Sequence, residues 1–237
     1  MPLYVYAITR ASHPLRLDGL TGVGEGQAPL RAVRGDALCA VVSDSPEGLT
    51  VGRRDLQAHH DVQQRLWEDG TVLPLSFGFV AADEEAVHAV LRDRGEQFTR
   101  ALEELTGRVE FNVKAVQDED ALLRDVLDRS PEARRLNEAT RDGGGAYEDR
   151  LALGQLIAQQ VQAGQEAVAG EVLSALRPLA LGERLAPPSQ QYAVNASFLV
   201  DAERVEEFTG AGRALDERFG DAVEVRLRGP LPPYSFI

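Results

Sequence analysis

The chain has 237 residues, of which 43% are hydrophobic and 27% charged, so its length and composition predict a soluble globular protein with one large or two small domains. Its 25 basic residues are interspersed among 38 acidic ones, and the net charge of −13 argues against nucleic acid and against an anionic membrane as a partner. No stretch approaches the roughly 20 apolar residues that span a bilayer, and the N-terminus lacks the pattern of a signal peptide, so we expect a cytoplasmic protein.

The first part of the chain has the pattern of an α+β domain. Short β-branched or aromatic runs between turn-forming residues are typical of buried strands, and apolar residues at steps of three and four are typical of amphipathic helices. These patterns predict strands over 3–8, 30–34, 37–43 and 72–80, a helix over 55–68, and two helices within 83–105 that break near Gly95. We expect this domain to cover 1–107.

The remaining residues predict a second α+β domain over 108–237. Residues 108–116 alternate in polarity as a half-buried strand does, and further strands are predicted over 192–200 and 222–228. Helices are predicted over 118–127, 146–179 and 202–219, while the polar stretch 132–145 ends in three glycines and is expected to be a mobile connection. This order is compatible with a ferredoxin-like fold that carries a long helical insertion.

Few side chains are placed for catalysis or metal binding. His59 and His60 are neighbours on a predicted helix and point about 100° apart, so they do not easily share a metal ion. We interpret His59 as a structural histidine on the apolar face, with a ligand or catalytic role as the alternative. The single cysteine, Cys39, excludes an intramolecular disulfide and a thiolate metal cage. The GVGEG run at 22–26 lacks the spacing of a phosphate loop and is interpreted as flexible, so we expect no cofactor and no metal ion.

The C-terminal residues combine prolines with large apolar side chains. Pro230, Pro232 and Pro233 stiffen the segment into an extended form, and its apolar side chains are too numerous to remain in water. Two interpretations stay open: the segment docks on its own protein, or it is presented to the groove of a partner. We favour docking, as a strap that folds back across the boundary between the two domains.

The sequence resembles the gas vesicle GvpF/GvpL family over its whole length. The GPLPPYSF run at 229–236 is similar to the GPWPPYSF-type terminus of that family, with Leu231 where an aromatic residue is common. The LPLSFG block at 73–78 is similar to the family's LP-x-x-FG block, although Ser76 stands where arginine is frequent. The other matching motifs are YVYAI at 4–8, AVVS at 40–43, L-x-x-H at 56–59, FNVK at 111–114, GAY at 145–147 and NASFLV at 195–200.

The resemblance implies a non-enzymatic accessory or minor structural protein of gas vesicle assembly. It implies two α+β domains, the second ferredoxin-like, and binding to the small hydrophobic major shell protein, with other gas vesicle accessory proteins as further partners. We expect the partner to contact Leu73, Pro74, Phe77, Tyr234 and Phe236, and we expect His59, Pro232 and Pro233 to be structural. The LPLSFG block is expected to pack against the helix that bears His59, because the two are close in sequence and both apolar.

A second function stays open, that of a small-molecule-binding or hydrolytic enzyme of ferredoxin-like type. Such an enzyme would use His59 or Asp61 in a cleft between the domains. A closed polar pocket with converging titratable groups would favour the enzyme, and an open apolar groove would favour the assembly protein.

Overall fold

A computed structural model of the chain describes residues 1–26, 28–49, 51–141, 146–187, 189 and 191–237. By compactness the chain divides into a first unit, Met1–Glu110 with Pro230–Ile237, and a second unit, Phe111–Gly229. This grouping differs from the expected domains 1–107 and 108–237 in placing residues 108–110 and the last eight residues with the first unit. That 1–107 and 108–237 fold as independent domains stays a prediction.

The first unit contains one antiparallel sheet built around a fully buried strand. Its strands are β1 (Leu3–Arg10), β2 (Arg31–Arg34), β3 (Leu38–Asp44), β4 (Val72–Pro74) and β5 (Val80–Ala81), in the order β2-β3-β1-β4, with β5 also paired to β1. The pairing register of β1 with β3 shifts between Val5 and Ala7. A shift of one residue changes which face a side chain occupies, so Val5 and Ile8 line one side of β1 although they are three residues apart.

Three helices cover the first sheet: α1 (Arg53–Asp69), α2 (Glu84–Asp93) and α3 (Gly95–Leu105). Helix α2 begins after Asp83, whose carboxylate accepts the backbone N–H of Ala86 at 2.9 Å. The prediction of one continuous strand over 72–80 is wrong, because the residues between Pro74 and Val80 are not in a strand. Strands β4 and β5 are separated there by a bend in which Gly78 has φ +88°, a conformation that glycine adopts without strain.

The second unit contains a four-stranded sheet with helices in both crossovers. Its strands are β6 (Arg108–Gln117), β7 (Gly182–Leu185), β8 (Val194–Asp201) and β9 (Val223–Leu231), in the order β7-β8-β6-β9. Helices α4 (Glu119–Arg129), α5 (Pro131–Ala139) and α6 (Tyr147–Leu176) lie between β6 and β7, and α7 (Val205–Phe219) lies between β8 and β9. This is the β-α-β-β-α-β element order that a ferredoxin-like fold requires.

The prediction of a mobile connection at 132–145 is wrong for the first half of this stretch, which is helical. Helix α5 occupies Pro131–Ala139, with Pro131 in its first turn and the Ser130 hydroxyl accepting the backbone N–H of Ala133 at 3.1 Å. Ala133 and Leu136 are buried, so the segment has an apolar face too short to show a clear period. The glycine triplet lies outside the described residues.

The glycine-rich loop at 22–26 is held by hydrogen bonds, contrary to the expectation of a flexible loop. The backbone N–H of Gly22 donates to the carbonyl of Ala28 at 2.9 Å. The backbone N–H of Val23 donates to the hydroxyl of Tyr6 at 2.8 Å. The backbone N–H of Gly24 donates to the carboxylate of Asp55 at 2.7 Å. Acceptors for three successive backbone donors, of which the Tyr6 hydroxyl is buried, fix the path of the loop over the sheet.

We predict that Gly22→Ala destabilises the protein by about 1–3 kcal/mol, because the added methyl group has no space. A Cβ on Gly22 would lie 2.7 Å from the carbonyl oxygen of Ala28 and 2.8 Å from the hydroxyl oxygen of Tyr6. The matched control is Gly26→Ala, whose Cβ would meet no atom of the described residues within 4 Å. Thermal melts of both variants measure the difference, and equal melting temperatures would contradict the tight packing at Gly22.

Candidate functional site

The buried histidine His59 of α1 uses both ring nitrogens in hydrogen bonds. Its Nε2 lies 3.1 Å from the carbonyl oxygen of Leu75, and its Nδ1 lies 2.9 Å from the hydroxyl of Tyr4. Because a carbonyl oxygen only accepts, Nε2 carries the proton and Nδ1 accepts from the tyrosine. The ring is thereby fixed as one neutral tautomer, which leaves it poorly suited to bind a metal ion or to transfer protons.

Burial keeps both partners of this contact uncharged. It lowers the pKa of His59 from 6.5 to about 4, and the hydrogen bond that the ring donates to the carbonyl of Leu75 opposes this shift. It raises the pKa of Tyr4 from 10.0 to about 12, which keeps the hydroxyl protonated as the donor to His59. At neutral pH the contact is therefore a hydrogen bond between two neutral groups.

Helix α1 packs against the LPLSFG block at 73–78, as expected. The side-chain amide of Gln63 donates to the carbonyl of Leu75 at 2.7 Å, alongside His59. The backbone N–H of Gly78 donates to the hydroxyl of Tyr4 at 3.0 Å. The side chains of His59, Gln63 and Tyr4 thus hold the bend between β4 and β5 by hydrogen bonds to its backbone.

The expected contact residues of this block differ in their exposure. Leu73 and Pro74 are buried in β4, where they pair with Ile8 and Ala7 of β1. Phe77 is half-buried, and its ring centroid lies 5.6 Å from that of His59. Of the three, Phe77 therefore has surface for a partner, whereas Leu73 and Pro74 belong to the core.

The C-terminal segment docks on the first unit. Pro232 and Pro233 are buried, Tyr234 and Phe236 are half-buried, and the hydroxyl of Tyr234 lies 3.3 Å from Nδ1 of His60. These residues are therefore neither a free tail nor fully available to a partner. Contact of the segment with a second domain stays a prediction.

Glu110 holds the end of this segment. Its buried carboxylate accepts the backbone N–H of Ser235 at 2.7 Å through one oxygen and the hydroxyl of Ser235 at 2.7 Å through the other. Hydrogen bonds to an ionised acceptor are stronger than those between neutral groups. The sequence gives no indication of this contact, because a serine after a tyrosine carries no signal for a distant carboxylate.

An apolar groove of about 320 Å³ lies in the first unit between the sheet and helices α2 and α3. We call this site the apolar groove, and its lining includes Val5, Phe79, Val87, Val90, Leu91 and Ile237. Phe79 is 46%, Val90 40% and Ile237 54% exposed, so the rim of the groove is open to solvent. Exposed apolar side chains that share one concave surface are typical of an interaction site.

The lining of the groove is mostly apolar and contains few polar side chains. Arg94 and Gln97 are its polar lining residues, and the remaining lining is aliphatic or aromatic in the described part of the chain. Among the described residues, no three histidine, cysteine, aspartate or glutamate side chains are grouped so that they could hold a metal ion. The arrangement can therefore bind apolar side chains, and it lacks the converging titratable groups of a hydrolytic site.

The groove is not predictable from the sequence pattern. Val87, Val90 and Leu91 form one face of α2, and an apolar helix face of this kind normally indicates core packing. Phe79 follows the bend at Gly78, whose geometry decides whether the ring points inward or outward. In the sequence, the glycine directly before Phe79 is the signal that the strand is interrupted here.

The chain matches known proteins over its full length. The sequence model of the family described as "Gas vesicle synthesis protein GvpL/GvpF" matches residues 2–237. The chain is 42% identical to Gas vesicle protein F of Streptomyces sp. strain CB03234, over 100% of both chains.

Two solved structures share the fold. The crystal structure of the gas vesicle protein GvpF from Microcystis aeruginosa matches with a TM-score of 0.78 at 26% identity, over 99% of this chain and 98% of the other. The GvpF structure from Anabaena sp. PCC7120 matches with a TM-score of 0.83 at 24% identity, over 99% of this chain and 97% of the other. These matches confirm the predicted α+β class.

We predict that the free energy of unfolding depends on the protonation of His59. Its folded pKa of about 4 lies below the ordinary 6.5, so the unfolded chain binds the proton first as the pH falls. The stabilisation is complete above pH ~6.5 and declines toward pH ~4, by about 3 kcal/mol in total. Urea unfolding of the wild type and of His59→Gln between these pH values measures the His59 contribution as a difference.

The matched control for this measurement is His88→Gln, since the His88 side chain is 37% exposed. The control should retain the wild-type dependence on pH, while His59→Gln should show a shallower one. His13 is also buried with a lowered pKa, so some dependence remains in every variant. Identical pH dependence of the wild type and His59→Gln would show that His59 is not buried as a neutral ring.

Proposed function

Because the chain belongs to the gas vesicle synthesis protein GvpL/GvpF family, we propose that it serves gas vesicle assembly by binding the small hydrophobic major shell protein through the apolar groove. Its function is that of a non-enzymatic accessory or minor structural protein. Other gas vesicle accessory proteins are proposed as further partners, and the cytoplasm and the vesicle as its locations. None of the helices in the described ranges is long and apolar enough to cross a membrane.

The single observation that carries this proposal is the exposed apolar rim of the groove. Phe79, Val90 and Ile237 each leave roughly half of their surface in water, although the first unit has a continuous core beside them. Burying apolar surface gains about 25 cal/mol per Å². A hydrophobic subunit that covers these side chains would recover this free energy, and Phe77 lies on the same bend as Phe79.

The charge of the chain supports the same role. A hydrophobic subunit aggregates unless its carrier stays soluble, and a net charge of −13 keeps complexes apart by repulsion. Arg94 places one positive charge beside the groove. The protein thus combines a repulsive exterior with a local apolar surface.

The alternative enzyme gains no support from the residues that were expected to carry it. His59 is a neutral, buried ring with a hydrogen bond at each nitrogen, and Asp61 accepts from the exposed Gln57 on the surface of α1. These two side chains do not converge on a common substrate position. The non-enzymatic function therefore remains the proposal.

We predict that Val90→Glu weakens capture of the major shell protein at least about tenfold, because a carboxylate in an apolar contact must be desolvated. The matched control is Val51→Glu, the same change at an exposed valine outside the groove lining. Both variants are co-expressed with the tagged shell protein, and the retained fraction is measured together with the melting temperature. Equal capture by the two variants would remove the groove as the binding surface.

We predict that deletion of 230–237 abolishes vesicle formation, while the rest of the chain keeps its secondary structure by circular dichroism. The deletion removes Ile237 from the groove and the donors of Ser235 from buried Glu110. Tyr234→Phe is the control, since it keeps the ring and loses one 3.3 Å hydrogen bond with His60. Normal vesicle formation by the deletion variant would contradict a role of this segment.

A further inference from the structure

The apolar face of α2 ends in a positive charge at the apolar groove. Val87, Val90 and Leu91 line the groove, and Arg94 follows Val87 by two turns, so it continues the same face. Arg94 lines the groove as well, at the junction of α2 and α3. A segment that binds in the groove would therefore contact both the apolar side chains and this guanidinium.

Arg94 has no carboxylate partner among the described residues. Its neighbour Arg92 is paired, since a guanidinium nitrogen of Arg92 lies 3.7 Å from the carboxylate of Asp93. In the part of the chain that the structure describes, Arg94 forms no ion pair, and the side-chain amide of Gln97 has no hydrogen-bond partner. The groove thus presents a cation and an amide, both available to a partner, beside its apolar lining.

The position of Arg94 at the end of α2 also has a local physical reason. A cation near the C-terminus of a helix interacts favourably with the helix dipole. Arg92, in the last turn of α2, has the same interaction but lies outside the groove lining. A comparison of the two arginines therefore separates the effect of the helix dipole from an effect of the groove.

A purely apolar partner would cover Arg94 at a cost in free energy. Arg94 is exposed in the free protein, so its guanidinium is hydrated there. Removing a charged group from water is unfavourable unless an opposite charge or other acceptors replace the water. A carboxylate matches a guanidinium best, because it accepts two parallel N–H bonds. A segment that covers the groove is thus bound most favourably when it brings a carboxylate to Arg94.

The charge of the whole chain limits how acidic the bound segment can be. A net charge of −13 repels acidic segments and attracts basic ones as they approach. A pair with Arg94 acts at contact, since salt screens exposed charges that are more than about 8–10 Å apart. A single acidic residue among apolar ones satisfies both conditions, whereas a run of acidic residues does not.

We propose that the segment bound in the apolar groove carries one acidic side chain beside its apolar ones, and that Arg94 pairs with this carboxylate. The inference rests on the proposed function, which assigns the groove to an apolar partner. It adds the charge that the partner segment carries, and it makes Arg94 the residue that determines this specificity. The apolar lining supplies the part of the binding free energy that does not depend on charge.

The test uses the full chain and peptides of leucine, alanine and glutamine with blocked ends and an uncharged fluorophore. Three peptides carry glutamate, glutamine or lysine at one position before the leucines, and a second set of three carries them after the leucines. In one set, fluorescence anisotropy should show that the wild type binds the glutamate peptide at least about threefold tighter than the glutamine peptide, and the lysine peptide weakest. The net charge of the chain alone would give the opposite order.

Exchange of the charge locates the contact. Arg94→Glu should reverse the order, so that the lysine peptide binds at least about threefold tighter than the glutamate peptide. Arg94→Gln should abolish the preference for glutamate without introducing a carboxylate. Arg92→Glu is the matched control, because it makes the same charge change at the same end of α2, and it should keep the wild-type order. Circular dichroism of each variant verifies that the helices remain folded.

The inference is overturned if the wild type binds the lysine peptide tightest in both sets, or if Arg94→Glu keeps the wild-type order. Val90→Glu should weaken binding of the uncharged glutamine peptide at least about tenfold, because it places a carboxylate among apolar side chains. Peptides that bind, lose affinity in Val90→Glu and show no preference for glutamate would overturn this inference alone. Peptides that do not bind, or whose binding is unchanged in Val90→Glu, would overturn the proposed function of the groove as well.

Discussion

The carbonyl of Leu75 is the point on which the first unit depends. It accepts from His59 at 3.1 Å and from Gln63 at 2.7 Å, so one backbone oxygen joins helix α1 to the bend between β4 and β5. The N–H of the same residue donates to the carbonyl of Tyr6 at 2.9 Å. Both backbone groups of Leu75 are thereby paired at the point where the chain leaves the sheet after β4.

The bend also determines where the apolar surface appears. Gly78 at φ +88° turns the chain, its N–H is held by Tyr4, and Phe79 then follows with its ring at the groove rather than in the core. The polar contacts around His59 thus create the apolar surface indirectly, by fixing the backbone that presents it.

Several elements were predictable because one physical signal dominates each. Strand β1 is a run of buried apolar residues, and α6 repeats its apolar positions over many turns. Strand β7 was missed because GERL has no alternation, and its position is set by pairing with β8. The contact of Glu110 was missed for another reason, since the partner of a buried polar group depends on distant residues. Sequence patterns describe local order, and these contacts join residues far apart in the chain.

The C-terminus connects the two aspects of the first unit, its core and its exposed surface. Ser235 gives both its donors to the buried carboxylate of Glu110, and two residues later Ile237 lines the groove with half of its surface in water. Pro232 and Pro233 limit the conformations of the segment before it docks, which lowers the entropy lost on docking. Because Ile237 lines the groove, any change that releases Ser235 from Glu110 also changes the apolar surface that a partner would contact.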